Sequence, residues 1–207
     1  MARYTEADCR LCRREGCKLY LKGDKCNSQK CTLIKKSNPP GMHTKSRKKA
    51  SGYSIQLREK QKTKRIYGLS EKQMRTYYEK ATLLRGITGE NLLVMLERRL
   101  DNVVYRMGFA SSRDMARQMV THGHFTINGK NVDIPSIQVK VGDIIAVRET
   151  KKDKPMWKEI KDVKNLSIVK WLEYDNAGLT GKVLSFPERE EIDLDIKEHL
   201  IVELYSK

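Results

Sequence analysis

The chain has 207 residues, of which 39% are hydrophobic and 33% charged, enough for one or two domains with a hydrophobic core. No apolar run approaches the ~18 residues of a membrane span, and the charged N-terminus lacks the apolar centre of a signal peptide. We therefore expect a cytoplasmic protein with no membrane partner. Its cysteines should be reduced, which favours a metal site over disulfides.

The net charge of +16 is concentrated at one end of the chain. Residues 1–65 hold 19 lysines and arginines against 5 acidic residues, whereas residues 66–207 hold 23 against 21. The first third therefore carries a net charge of +14, and it also contains all five cysteines. A basic arm on a near-neutral body is typical of proteins that bind polyanions. A tail that served only solubility would not require the cysteine spacing.

The cysteines form two short pairs, Cys9-x2-Cys12 and Cys26-x4-Cys31, separated by 13 residues. Each pair can supply two thiolates, and four thiolates at ~2.3 Å complete the shell of a structural zinc without leaving a catalytic position open. An iron–sulfur cluster uses the same ligands and is the main alternative. Cys17 is left over, and we interpret it as a small buried hydrophobe. A basic segment of ~30 residues cannot bury a core, so the metal would replace one.

A basic run at 45–49 without periodicity precedes the first predicted long helix, at 54–67, which should end before Gly68. Lysine and arginine surround this helix almost completely. We therefore expect it to bury little beyond Leu57 and Ile66, and to have an anionic partner.

Two further helices are predicted from their start and stop signals. Ser70 and Gln73 form a capping box, flanked by a hydrophobic staple, for a helix that runs from Glu71 to about Leu84 and turns Leu84 inward. Thr88 then caps a third helix over 89–107, whose leucines and valines form one apolar stripe.

The segment from 111 to 148 has the sharpest local pattern. A serine cap begins a short helix in which Arg113 and Arg117 should share the outer face, although an ordinary solvated face would give the same spacing. A strand at 124–127 leads into Asn128-Gly129, the strongest signal for a type I′ hairpin. Further strands are predicted at 130–134, 137–141 and 143–148.

The remainder is less regular. Pro155 should open a helix to about Asn165, and strands are predicted at 171–174 and 182–186, joined by a turn at 175–178. The tail from Phe186 holds seven acidic and three basic residues and ends in an apolar run. Its negative charge suits a basic protein partner better than RNA, whereas its apolar residues suit packing on the protein's own body.

Several blocks, in order and at matching spacing, resemble the bacterial family of small-subunit ribosomal protein four, in its zinc-binding, four-cysteine form. They are 57–62, 66–68, 100–106, 112–113, 116–118, 122–124, 132–136 and 201–207. The resemblance implies an α+β fold: a zinc-bearing N-terminal arm (1–45), a helical RNA-binding domain (46–95, completed by 187–207), and an inserted mixed α/β RNA-binding module (96–186) with short helices and antiparallel strands.

The resemblance also implies a function without catalysis or a small-molecule substrate. The family is a structural constituent of the small subunit. It binds 16S rRNA early, at a 5′-domain junction of several helices, and so nucleates assembly. It also lines the path by which messenger RNA enters, and contacts ribosomal protein five and other small-subunit proteins, which affects translational accuracy. The expected location is the cytoplasmic ribosome, and the expected cofactor is one zinc.

Charge, hydrogen-bonding capacity and the resemblance together select the candidate site residues. The predicted metal ligands are Cys9, Cys12, Cys26 and Cys31. The predicted RNA-binding residues are Arg3, Arg13, Arg14, Lys45, Arg47, Lys48, Lys49, Tyr53, Arg58, Lys60, Lys62, Lys64, Arg65, Arg113, Arg117, Gln118, His122, His124, Asn128 and Lys130, with Lys45 and Arg47–Lys49 also facing messenger RNA. The residues predicted to face a protein partner are Glu188, Glu190, Glu191, Glu198 and Glu203.

Two other classes fit parts of the pattern. The helix–hairpin module also occurs in RNA-modifying enzymes, but residues 150–207 contain no glycine-rich cofactor loop and no carboxylate in a catalytic motif. A zinc-dependent DNA-binding regulator would need a recognition helix and usually a dimer seam, and the chain has no heptad run.

Overall fold

The computed structural model describes residues 4–42, 49–157, 169–175 and 177–207. The described chain forms two compact units, one up to Leu93 together with Leu194–Lys207, and the other from Val94 to Asp193. No described helix has the length and apolar character needed to span a bilayer. The predicted helix from Pro155 falls largely outside the described residues.

The elements are numbered in chain order. The helices are α1 (Asp8–Glu15), α2 (Asp24–Asn27), α3 (Thr32–Lys35), α4 (Gly52–Ile66), α5 (Glu71–Thr82), α6 (Thr88–Glu97), α7 (Leu100–Arg106), α8 (Arg113–Thr121) and α9 (Glu198–Tyr205). The strands are β1 (Phe125–Ile127), β2 (Lys130–Val132), β3 (Ile144–Val147), β4 (Leu172–Asp175) and β5 (Thr180–Val183). This composition confirms the α+β class.

The first unit is helical, and the C-terminal helix α9 returns to pack against α4. Ile201 on α9 is fully buried, and the Tyr205 ring stacks on Tyr78 with centroids 4.7 Å apart. The tail is therefore anchored on the protein's own helices, as its apolar run predicts. The capping box of Ser70 and Gln73 is also confirmed, since each side chain accepts a hydrogen bond from the other's backbone N–H.

The second unit is built on an antiparallel sheet with strand order β2-β1-β3-β5-β4. The hairpin turn between β1 and β2 has Asn128 and Gly129 at φ +50° and +77°, which confirms the predicted primed turn. One apolar cluster holds α7 and α8 on this sheet. Both tryptophans of the chain, Trp157 and Trp171, are buried in that cluster.

Two predictions of secondary structure and one of side-chain burial are wrong. The helix expected over 89–107 is broken after Arg98, because Arg99 is extended and pairs with Gln138, with Leu100 N–H donating to the Ile137 carbonyl at 2.9 Å and Val139 N–H donating to the Arg98 carbonyl at 3.0 Å. The strand expected at 137–141 is reduced to that pairing. The Leu84 side chain, expected to face inward, is 50% exposed because α5 ends at Thr82.

Candidate nucleic-acid interface

Helix α4 carries five of the predicted RNA-binding cations, and the structure places two of them around one buried carboxylate. Glu15, the last residue of α1, has a side chain only 2% exposed. It accepts hydrogen bonds from Arg58 Nη1 at 3.3 Å and from Arg65 Nη1. Burial raises the pKa of Glu15, and the two guanidiniums act in the opposite direction. The arm is therefore joined to α4 by a carboxylate that fixes two arginines.

The other three cations of α4 also have carboxylate neighbours. Lys60 is buried and pairs with Glu71, which Lys64 Nζ also contacts at 3.0 Å. These two lysines hold the pKa of Glu71 below its ordinary value, although burial acts in the opposite direction. Lys62 Nζ lies 3.4 Å from Glu59 Oε1 and 3.6 Å from Asp195 Oδ2.

The expectation that α4 buries little is wrong. Its buried residues are Gln56, Lys60, Thr63 and Ile66, and the first three are polar and satisfy their hydrogen bonds within the unit. Gln56, for example, donates to Glu203 Oε2 at 2.7 Å. The anionic partner that the sequence predicts for α4 is thus supplied in part by the chain itself.

Three further predicted RNA-binding residues of the first unit, Arg14, Lys49 and Tyr53, are exposed to solvent. Arg13 instead donates to the carbonyls of Asn38, at 2.8 Å, and Pro39, at 3.3 Å, and so ties α1 to the following loop. The predicted RNA-binding residues Arg3, Lys45, Arg47 and Lys48 lie outside the described residues.

The predicted metal ligands lie in the same small region of the arm. Cys12, Cys26 and Cys31 are buried, and Cys9 is half-buried. Burial, reinforced by the neighbouring thiols of Cys26, Cys9 and Cys17, raises the pKa of Cys12 to about 11. Lys22 N–H donates to Cys26 Sγ at 3.3 Å. Among the described residues, no three Cys, His, Asp or Glu side chains are arranged to hold a metal ion.

The prediction that Arg113 and Arg117 share the outer face of the helix is wrong, and so is the alternative of an ordinary solvated face, because both residues are buried. Arg113 Nε donates to Asn102 Oδ1 at 2.8 Å, and its guanidinium lies 4.5 Å from the centroid of the Tyr105 ring. Arg117 Nη1 lies 3.6 Å from Asp101 Oδ2. Asp101 and Asn102 attract the two side chains onto α7.

Asp101 is the centre of this buried network. Fully buried Arg99 binds it in a bidentate manner, with Nε–Oδ1 at 3.0 Å and Nη2–Oδ2 at 2.6 Å. The Asn102 N–H also donates to Asp101 Oδ1 at 2.9 Å. Beside it, Glu97 accepts from Asn102 Nδ2 and from the Arg106 guanidinium. The network therefore fixes α7 relative to the extended residue Arg99 before it and to α8.

The remaining predicted RNA-binding residues of the second unit surround the β1–β2 hairpin. Four of them are exposed: Gln118, His122, Asn128 and Lys130. His124 is buried instead, and its Nδ1 has no hydrogen-bond partner among the described residues. Burial lowers the pKa of His124, and the charges of Lys154, Lys151 and His122 lower it further.

The predicted protein-partner residues are divided between the two units. In the second unit, Glu188 and Glu191 cap each other across a short turn, and Glu190 is exposed. In the first, Glu203 accepts from Gln56, and the Glu198 side chain packs over Gly89, where a Cβ would lie 2.7 Å from its Cγ. The acidic tail from Phe186 onward is therefore only partly available to a partner.

Sequence reasoning missed Glu15 and Asp101, the two carboxylates that organise the basic residues. Only the scarcity of acidic residues in the first 65 positions could have singled out Glu15. For Asp101 the useful signal is the run Arg98-Arg99-Leu100-Asp101-Asn102, in which four polar residues of both charges surround one leucine.

Two family models match the chain. One, described as ribosomal protein S4/S9 N-terminal domain, covers residues 3–97, and the other, described as S4 domain, covers residues 98–145. Relatives named small ribosomal subunit protein uS4 align over 100% of both chains. The relative from Clostridioides difficile is 59% identical over 207 residues, that from Caldicellulosiruptor saccharolyticus 60% over 209, and that from Ruminiclostridium cellulolyticum 58% over 208.

Proposed function

The chain belongs to the uS4 family of small ribosomal subunit proteins, and on this premise we propose that its arm and α4 form the main surface for small-subunit rRNA. As a member of that family it is a structural, non-enzymatic component of the cytoplasmic ribosome, where it binds rRNA.

One observation carries the proposal: in the arm and α4, several acidic side chains are turned toward neighbouring cations, whereas many basic side chains are exposed to solvent. Of the five acidic residues before position 66, Asp8, Glu15 and Glu59 are turned toward cations of the same unit. Many of the basic residues are exposed, namely Arg10, Arg14, Lys22, Lys25, Lys30, Lys35, Lys36 and Lys49. Such a surface releases counterions when it meets phosphates.

We infer that the RNA target is a junction of several helices in the 5′ domain, bound early in assembly. A-form RNA hides its base edges in a deep groove, so a junction is recognised by its phosphates, sugars and unpaired bases. Footprinting of the full chain on naked small-subunit rRNA tests this. Protection grouped around one junction is the expected result, and protection scattered over the RNA would contradict it.

We propose that Cys9, Cys12, Cys26 and Cys31 hold one structural zinc. The support is the chemistry of the donors, because the two cysteine pairs supply four thiols, three of them are buried and an amide N–H donates to Cys26 Sγ, although the described side chains are not arranged around an ion. When bound, the ion supplies a cross-link between the two cysteine pairs in place of a hydrophobic core. An iron–sulfur cluster, the alternative with the same ligands, would be visible as colour in the purified protein.

We also propose contacts with messenger RNA and with ribosomal protein five. The first assigns Lys45 and Arg47–Lys49 to the path by which messenger RNA enters, and it is supported by the basic run and the family alone. It would be tested by cross-linking messenger RNA to these four residues in assembled subunits. Loss of cross-links in a variant with all four changed to alanine is the expected result.

The proposed contact with ribosomal protein five uses the acidic tail from Phe186 onward. Its net negative charge repels phosphate within a Debye length of ~8 Å. Glu190 is its best test residue because it is exposed and takes no part in the cap formed by Glu188 and Glu191. We expect Glu190→Lys to change miscoding while leaving rRNA affinity intact. Unchanged miscoding together with weakened rRNA binding would show that the tail supports the RNA site instead.

A further inference from the structure

Tyr20 is held in a backbone conformation that its own side chain does not explain. Its φ is +52°, in the left-handed region that favours glycine, yet its side chain is 43% exposed. Two other described non-glycine residues have positive φ. Asn128 sits in a hairpin turn that requires it, and Leu179 is fully buried, so that packing holds its backbone. Strain at an exposed residue points to a role outside the fold.

The residues on either side of Tyr20 hold the loop in place. Leu19 and Leu21 are both buried, so alternate side chains point inward and the tyrosine between them is turned outward. Lys22 donates its N–H to Cys26 Sγ at 3.3 Å, and its Nζ lies 3.6 Å from Asp8 Oδ2. The loop therefore presents the ring of Tyr20 from a fixed position.

The ring of Tyr20 is accessible to a ligand. Within the part of the chain that the structure describes, it stacks on no other ring, and its hydroxyl makes no hydrogen bond. Lys18 and Lys22 flank it two positions away on each side, in the most basic third of the chain. An aromatic face between cations matches a nucleotide, whose base stacks and whose phosphates are anionic.

We propose that Tyr20 is a stacking platform for an unpaired base of the bound rRNA, with Lys18 and Lys22 contacting the adjacent phosphates. This inference rests on the RNA-binding function proposed above and extends it to a base contact. Lysine is depleted in protein–protein interfaces, so the flanking lysines favour RNA over a protein occupant. Stacking accepts any base, which suits a contact that adds affinity to recognition by shape.

The test compares Tyr20→Phe and Tyr20→Asn in the full-length, metal-loaded protein, with naked small-subunit rRNA as the probe over a series of salt concentrations. Phenylalanine keeps the ring and should bind like the wild type. Asparagine tolerates positive φ but cannot stack, so we expect about tenfold weaker binding at every salt concentration. The slope of log K against log salt should stay unchanged because no charge is lost.

Lys18→Ala serves as the matched charge control. It should lower the magnitude of that slope by roughly 0.7–0.9 while leaving the aromatic contact in place. Ultraviolet cross-linking followed by mass spectrometry should also join Tyr20 to a single nucleotide, a result that a purely structural residue would not give.

Three results would overturn the proposal. The first is wild-type affinity in Tyr20→Asn. The second is a loss of thermal stability or metal in that variant that accounts for its weaker binding. The third is unchanged RNA binding with loss of a ribosomal protein from assembled subunits, which would assign the ring to a protein partner. Failure of the wild type itself to bind the rRNA would instead refute the function on which this inference rests.

Discussion

Asp101→Asn should destabilise the second unit strongly, because it removes the carboxylate that fully buried Arg99 contacts through both of its oxygens. The side chains of Arg99, Asp101 and Arg117 are 0%, 7% and 7% exposed, so water cannot replace the lost charge. Removing one partner of such a buried pair costs about 3–5 kcal/mol, since the other charge stays buried without compensation. The equilibrium constant for folding should fall by roughly two to four orders of magnitude, since each ~1.4 kcal/mol is a factor of ten.

Tryptophan fluorescence during urea unfolding measures this loss in the correct unit, because both tryptophans of the chain are buried there. The matched control is Glu149→Gln, which removes an exposed pair with Lys152 in the same unit and should leave the unfolding midpoint almost unchanged. Equal midpoints for the Asp101→Asn and Glu149→Gln variants would refute the reasoning. Adding Arg99→Met to Asp101→Asn should recover part of the stability, because the unpaired charge is then gone.

Three further predictions concern the metal, pH and the buried arginines. Elemental analysis should find about one zinc in Cys17→Ser and a loss of zinc in Cys31→Ser, and the reverse pattern would contradict the ligand assignment. Because the folded pKa of His124 is lowered, the unfolded chain takes up a proton first as pH falls below about 6.5. Urea midpoints of the second unit should therefore fall between pH 7.5 and 5.5, and this fall should shrink in His124→Gln. Replacing Arg113 and Arg117 together by alanine should lower the free energy of unfolding of the second unit by at least about 2 kcal/mol, so weaker RNA binding by this variant would have to be corrected for its unfolded fraction.

Local patterns were predictable because their partners lie a few residues away. The Ser70–Gln73 capping box and the Asn128-Gly129 turn each depend on hydrogen bonds within four residues, and both appear as expected. The break before Leu100 was not predictable, since its cause is pairing with Gln138, nearly forty positions away. An apolar stripe continues through the break and gives no sign that the backbone changes direction.

The candidate site was predictable in its composition and not in its geometry. A run of cations along α4 indicates an anionic partner, but the sequence does not say whether that partner is Glu15 or a phosphate. Arg113 and Arg117 show the same limit, because a spacing of four residues on a helix suits an outer face and a buried network equally well. Only the position of α7 decides between the two.

The cations of this chain therefore fall into two groups with different consequences for RNA binding. Those held by internal carboxylates, such as Lys60 and Arg117, give up a protein contact if they are to reach a phosphate, so they add little net affinity. Exposed cations such as Arg14 lose only counterions, and each contributes roughly 0.7–0.9 to the salt slope. The slope of log K against log salt should consequently be set by the number of exposed arm cations that the RNA covers. It should be well below the value expected if every basic residue in the sequence contacted a phosphate.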